Sequence, residues 1–203
     1  MKKNPCPVCQ NKAEYLDQID FSRSCEEKNG FFLPASNRLI SYFLCDYCNF
    51  CFSPEIMAWT PEKFKEKIYN NQYLLVDPDY LKKRPLAYAA IIISMFEKQK
   101  KDIYHLDYGG GRGLLSTTLR KKKFNSASYD PFVNIKKLPD HQFNLITAFE
   151  VFEHAADVNQ LFEKLALLLS TDGIIIFSTL LNDQKVSKGK KLDWWYAAPR
   201  NGH

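Results

Sequence analysis

A chain of 203 residues with 45% hydrophobic and 25% charged residues holds enough apolar material for one ordinary domain and a small appendage. Its formal net charge of +5 admits an anionic partner without demanding one. No apolar run approaches the ~18–20 residues needed to cross a bilayer, and the start, Met1-Lys-Lys-Asn-Pro-Cys6, lacks the apolar segment of a signal peptide, which predicts a cytoplasmic protein with six reduced cysteines.

The front end carries two C-x-x-C knuckles, Cys6-Pro-Val-Cys9 and Cys45-Asp-Tyr-Cys48, with 35 residues between them. In a reducing compartment such pairs hold metal more often than they form disulfides. The spacing lets both thiolates of a knuckle face one ion, and two knuckles complete a tetrahedral Zn²⁺ site with no open position, which makes the expected zinc structural. Residues 13–17 and 38–44 read as short strands, giving a zinc-ribbon-like module over residues 1–56. Cys25 stands alone, and a register that uses Cys51 stays open. The competing reading is a set of buried free thiols packed as small hydrophobes.

Residues 57–100 read as a helical lead-in. Thr60-Pro61-Glu62 sets an N-cap hydroxyl before a proline at the first helical position, with an acid in the first turn. A second helix is predicted from about residue 79 to 99, interrupted at Pro85, with its apolar stretch 86–96 buried against a following sheet.

The most informative stretch is Ile103-Tyr-His-Leu-Asp-Tyr-Gly-Gly-Gly-Arg-Gly113. A short strand ends at Asp107, four of the chain's eight glycines fall between 109 and 113, and residues 114–124 then read as a helix. A strand that breaks into a glycine turn and a helix presents unpaired N–H groups, a seat for a nucleotide-like ligand. The glycines at 109, 111 and 113 give G-x-G-x-G, whereas a dinucleotide fingerprint would also want glycine at 114, where Leu114 stands. Residues 127–130 form a short strand ending in Asp130, 21 residues after Gly109, near the ~20 expected of an acid that accepts from ribose hydroxyls. A strand over 143–149, a helix over 158–169, a turn at 171–173 and a strand over 174–178 follow. Strand–helix alternation predicts a parallel sheet covered on both faces.

With Asp107 two residues before the first glycine, this segment resembles motif I of the class I S-adenosylmethionine (SAM) dependent methyltransferases. The runs F-N-L-I-T-A-F-E-V-F-E-H and L-L-x-x-D-G-I-I-I-F-S-T are similar to that family's fourth and fifth strands, so the resemblance covers residues 103–180. It implies an α/β fold with a Rossmann-like parallel sheet over residues 101–203. It also implies SAM as cofactor, held by Asp107, Tyr108, Gly109, Gly110, Gly111, Gly113, Asp130, Pro131, Phe149 and Glu150. In small-molecule O-methyltransferases the E-x-x-E-H run lies beside the transferable methyl and can hold a divalent cation, which nominates Glu150, Glu153 and His154 as catalytic residues. Acid caps at a helix start are the plain alternative. The resemblance also offers Tyr73, Tyr80 and Arg84 as cover for the cofactor's methionine end.

Two departures from the family stand out. Between Asp130 and Phe143 lie twelve residues, too few for a helix and a further strand, so that edge strand is expected to be missing, with Asp140 a weak adenine-side candidate. After Thr179 only 24 residues remain, so the closing hairpin is expected to be missing and the core to be C-terminally truncated. The end, Asp193-Trp-Trp-Tyr-Ala-Ala-Pro-Arg-Asn-Gly-His203, reads as an aromatic lid over an acceptor or as core and interface residues. The leading expectation is a methyltransferase acting on a small molecule through O, N or C. An RNA methyltransferase using Lys121–Lys123, or a non-catalytic SAM-binding protein, are the alternatives. No membrane partner is expected, and self-association through the uncovered sheet edge is.

Overall fold

The computed structural model describes residues 4–133, 138, 140–182 and 185–203. The chain folds into two compact units, one of Met1–Pro78, Glu153–Asn159 and Leu180–His203, the other of Asp79–Phe152 and Gln160–Thr179. The expected boundaries at 56 and 100 differ from these. The helical lead-in is divided between the units, and the tail after 180 belongs with the cysteine-rich front.

In the first unit, β1 (Asn4–Pro5), β2 (Lys12–Asp20), β3 (Leu39–Cys45) and β4 (Cys51–Phe52) form an antiparallel sheet in that order. The period-two alternation of β3 buries Ile40, Tyr42 and Leu44 on one face. Cys6, Ala13, Cys45 and Phe52 make a small core beside the knuckles. Three short helices follow: α1 (Pro54–Met57), α2 (Pro61–Lys67) and α3 (Tyr73–Val76). Thr60 caps α2 as expected, its hydroxyl accepting from Lys63 N at 3.3 Å, and Ser53 caps α1 in the same way.

The tail after 180 forms a single helical turn, Pro199–Asn201, among the described residues. It is nevertheless firmly held. Arg200 N donates to Arg23 O at 3.0 Å, and Asn201 joins Cys25 N and Val76 O.

In the second unit, α4 (Lys83–Phe96) precedes β5 (Tyr104–Tyr108), α5 (Leu114–Lys121), β6 (Asn125–Tyr129), β7 (Phe143–Phe149), α6 (Val158–Leu168, its first two residues in the first unit) and β8 (Leu169–Ser178). Pro85 does not interrupt α4. It lies in the first turn, where its missing N–H and fixed φ cost nothing.

The sheet is wholly parallel with strand order β6-β5-β7-β8. Ala89 and Ile92 of α4 pack with Leu115, Leu119, Phe124 and Leu145. β8 begins earlier than residue 174: Leu169 already pairs with Phe143. The chain then bulges through Asp172, at φ 62°, before Ile174 pairs with Leu145. Between β6 and β7 the described residues contain no strand, while part of this linker, 134–137 and 139, lies outside the described residues. Asp140 is exposed.

Strands β6 and β7 lie on opposite sides of β5, so the order reverses there. In open α/β sheets, ligands bind outside the carboxyl ends of the strands at such a switch point. The glycine turn leaves β5 at that end.

Candidate functional site

Gly109, Gly111 and Gly113 have φ of 74°, 55° and 75°, the left-handed region in which a β-carbon is strained. Gly110 is required for space instead. A β-carbon there would lie 2.3 Å from Asp107 Oδ2 and 2.5 Å from Ser128 Oγ. Above Gly111 nothing lies within 4 Å of the corresponding position, so the turn is open on that side to a close-approaching ligand. The turn is pinned by Gly109 N and Gly110 N, which donate to Tyr129 O at 2.7 and 3.2 Å.

Asp130 closes the far side. Its Oδ2 accepts from Gly111 N at 2.9 Å, and its Oδ1 from Phe132 N and Val133 N at 2.8 and 3.1 Å. This carboxylate is buried and still has acceptor capacity for a hydroxyl. Asp107 is buried as well. Burial pushes its carboxyl up to about 7; nearby Asp130 adds to the rise, and the Thr147 hydroxyl, 2.8 Å away, counteracts it only insofar as it donates to an ionised carboxylate. Tyr108 is buried with its ring 5.4 Å from that of Tyr129, while Pro131 is exposed at the start of the next turn.

At the end of β7, Phe149 stacks on Tyr88 with centroids 4.1 Å apart. Glu150 takes φ 55°, which turns the chain out of the strand. Its carboxylate is gripped on three sides: Tyr88 Oη donates at 3.0 Å, Ser178 Oγ at 2.6 Å, and the Arg84 guanidinium lies 3.6 Å away. Of the lead-in residues nominated from the sequence, Arg84 therefore does meet a site residue of its own unit. Tyr88 and Ser178 were missed. Helical spacing from Arg84 could have found Tyr88, four residues on, and the Phe149–Ser178 pairing could have found Ser178.

Glu153 and His154 belong to the other unit, and there they meet the tail. Tyr196 Oη donates to Glu153 Oε1 at 2.7 Å, and the rings of His154 and His203 are 4.9 Å apart. One ligand atom from each of Glu153, His154 and His203 lies within 4.8 Å of the other two. His203 Nδ1 lies 3.1 Å from Tyr196 O, and since a carbonyl can only accept, that nitrogen carries a proton. Gly202, at φ 90°, permits this: a β-carbon would lie 2.6 Å from Phe64 Cζ. Glu150 is not a member of this group. Arg200 is not a lid residue either. It is buried, and its guanidinium donates to Lys67 O and Asn70 Oδ1 at 3.1 and 3.2 Å.

The four knuckle thiols gather as their spacing predicts. Cys6–Cys48, Cys9–Cys45 and Cys9–Cys48 sulfurs are 3.6, 3.5 and 3.5 Å apart. Four sulfurs ~2.3 Å from a tetrahedral ion would be separated by roughly 3.8 Å, so the cluster fits zinc. Tyr47 N and Cys48 N donate to Cys45 Sγ at 3.4 and 3.5 Å, the amide support a thiolate needs. Cys51 lies outside the cluster, and burial pushes its thiol up to about 12. Cys25 Sγ instead lies 3.7 Å from His203 Nδ1.

A family model described as a methyltransferase domain matches residues 80–203, and the chain belongs to that family. Together with the parallel sheet and glycine turn, this membership supports a class I, SAM-dependent methyltransferase. Among solved structures, coclaurine N-methyltransferase bound to N-methylheliamine and SAH is similar at 19% identity and a TM-score of 0.36, over 45% of this chain and 35% of that one. The chain thus spans about a third of that protein's length. None of the curated proteins compared with the chain matches it. Among the described residues, no helix is long and apolar enough to cross a membrane.

Proposed function

We propose that the chain transfers a methyl group from SAM to a small-molecule acceptor through O, N or C, with a structural zinc ion held by Cys6, Cys9, Cys45 and Cys48. The observation that carries this reading is the turn at 109–113, open above Gly111 and flanked by two buried carboxyl groups, Asp107 and Asp130. SAM supplies an electrophilic methyl on a sulfonium. The protein must orient the acceptor and take its proton.

In this reading the turn's open face above Gly111 and Asp107 seat the methionine side, and Asp130 accepts from the ribose hydroxyls; the amides of Gly109, Gly110, Gly111 and Gly113 are spent within the protein, on Tyr129 O, Asp130 and Gly110 O, and shape the turn. Glu150 is fixed by Tyr88, Ser178 and Arg84 as a rigid wall of the cofactor site. By the resemblance of the E-x-x-E-H run, Glu153 and His154 are nominated to take the acceptor's proton, and within their own unit Tyr196 donates to Glu153. The all-thiolate ligand set leaves zinc no open coordination position, so its role is to hold the front module together.

Calorimetric titration of the full chain with SAM and with its demethylated product tests the cofactor assignment. Micromolar binding of either is expected, and binding of neither overturns it. Methyl release on a panel of phenols, amines and sugars then separates an enzyme from a binder. His154→Ala is expected to lower kcat by roughly 10²–10⁴ with the SAM affinity unchanged.

A further inference from the structure

A continuous hydrogen-bonded chain runs through the second unit beneath the glycine turn. Ser116 Oγ on α5 contacts Ala127 O and Ser126 Oγ, both at 2.6 Å. Ser126 Oγ contacts His105 Nδ1 at 2.7 Å, and His105 Nε2 contacts Thr147 Oγ1 at 2.9 Å. Thr147 Oγ1 contacts Asp107 Oδ1 at 2.8 Å. His105, Ser116 and Thr147 are completely buried, out of reach of bulk solvent.

Each hydroxyl has one proton, and this fixes the direction of the chain. Ala127 O can only accept, so Ser116 spends its proton there and Ser126 must donate to Ser116. Ser126 then has no proton left, and His105 Nδ1 must donate to Ser126. If Thr147 donates to an ionised Asp107, its oxygen must accept from His105 Nε2, which makes the ring doubly protonated. Full burial opposes that charge and holds the imidazole down to about 3. Every contact is met without a charged ring in one way: the proton sits on Asp107, whose carboxyl donates to Thr147, and Thr147 donates to His105 Nε2.

We propose that His105 and Thr147 are positioning residues that keep a proton on Asp107 in the ligand-free protein, and that a cationic cofactor seated on the glycine turn expels it. The proton leaves the Asp107 oxygen for solvent, and the carboxylate so formed faces the positive charge of the ligand. The second half of this proposal rests on the SAM reading above; the first half does not.

Among the described residues, the groups around Asp107 are His105 two positions away on its own strand, Thr147 from β7, Asp130 just after β6, and the backbone of Gly110, where a β-carbon would meet both Asp107 Oδ2 and Ser128 Oγ. Of these only Asp130 is a second carboxyl, and its charge favours the protonated form.

Two measurements test the relay. Carbon-13 NMR titration of the aspartate carboxyls in the ligand-free chain is expected to show Asp107 titrating near pH 7. A carboxyl already ionised at pH 6 overturns the proposal. Ser116→Ala touches neither Asp107 nor the turn, yet it frees the Ser126 proton for His105 Nδ1. The ring then needs only its Nε2 proton, and an ionised Asp107 is satisfied. Its midpoint is expected to fall by about one unit, a tenfold change in proton affinity. Ser126→Ala should do the same, and Thr147→Val, unlike Thr147→Ser, should abolish the effect of Ser116→Ala. An unmoved midpoint in folded Ser116→Ala and Ser126→Ala refutes the relay.

Calorimetry of SAM binding in buffers of differing ionisation enthalpy reads the second half. At pH 6.5 the wild type should release about three-quarters of a proton more than Asp107→Asn, the fraction a group titrating near 7 holds there, and equal release overturns it. If SAM does not bind at all, the cofactor reading falls while the carboxyl titration still decides the relay.

Discussion

Tyr88 Oη donates to Glu150 Oε1 across 3.0 Å while the Tyr88 ring lies flat on Phe149, so one side chain holds two neighbouring residues at the end of β7. The two functions are separable. Tyr88→Phe keeps the stack and deletes the hydrogen bond. It is expected to weaken SAM binding by about 1–2 kcal/mol, roughly 5- to 30-fold, with little loss of thermal stability. Titration calorimetry beside a melting curve checks this, and an unchanged affinity removes Glu150 from the cofactor wall.

Neighbouring glycines should respond differently to alanine. Gly110→Ala drives a β-carbon onto Asp107 Oδ2 and Ser128 Oγ. It should destabilise the second unit by about 1–3 kcal/mol and abolish cofactor binding. Gly111→Ala meets no neighbouring atom in the ligand-free protein but must adopt φ 55°. Its stability cost should be near 1 kcal/mol, while any ligand seated close over the turn would meet the new methyl group. Chemical denaturation paired with SAM titration separates the two.

The thiolate cluster makes a compositional prediction. Metal analysis of the purified chain should find about one zinc ion, and Cys45→Ser should lose it together with the antiparallel sheet, because a structural zinc contributes folding energy directly. Cys51→Ser should retain the metal. A stable, metal-free wild type would refute the assignment.

Stability should also depend on pH in an identifiable way. His105 has its folded pKa depressed to about 3, so between pH 3 and 6.5 the unfolded state binds more protons there and stability rises with pH. Asp107 has its folded pKa raised to about 7, so between pH 4 and 7 the folded state binds more protons there and stability falls as pH rises. The two slopes oppose each other across pH 4–6.5. Asp107→Asn removes one of them, and its stability should climb more steeply than that of the wild type over that window in urea denaturation. Parallel curves would show that Asp107 titrates alike in the folded and unfolded protein.

How far the sequence could be read depended on whether a feature was local. The knuckles, the glycine turn and Asp130 announce themselves by spacing, and Thr60-Pro61 by capping chemistry, because each depends on residues a few positions apart. Pro85 was misread as an interruption, since the start of α4 carries no capping side chain to mark it. Tyr196 and His203 were legible only as an aromatic and basic tail. Their partnership with Glu153 and His154 joins positions 43 or more residues apart in the chain, and no periodicity reports that. His105 and Asp107 do share a strand face by period two, but the hydroxyls that give the pair meaning come from α5, β6 and β7.

The first unit draws on three separate stretches of chain, and its contacts include Cys25 with His203 at a separation of 178 residues. On a ribosome, where the chain emerges from its N-terminus, the knuckles can close around metal once Cys48 is out. The parallel sheet can form once β8 is complete. The remainder of the first unit must wait for residues 200–203, since Arg23, Cys25, Lys67 and Val76 all await partners there. The front module is therefore expected to begin folding around its metal first and to be completed only after the parallel sheet, whose strands precede residues 200–203, can already have formed.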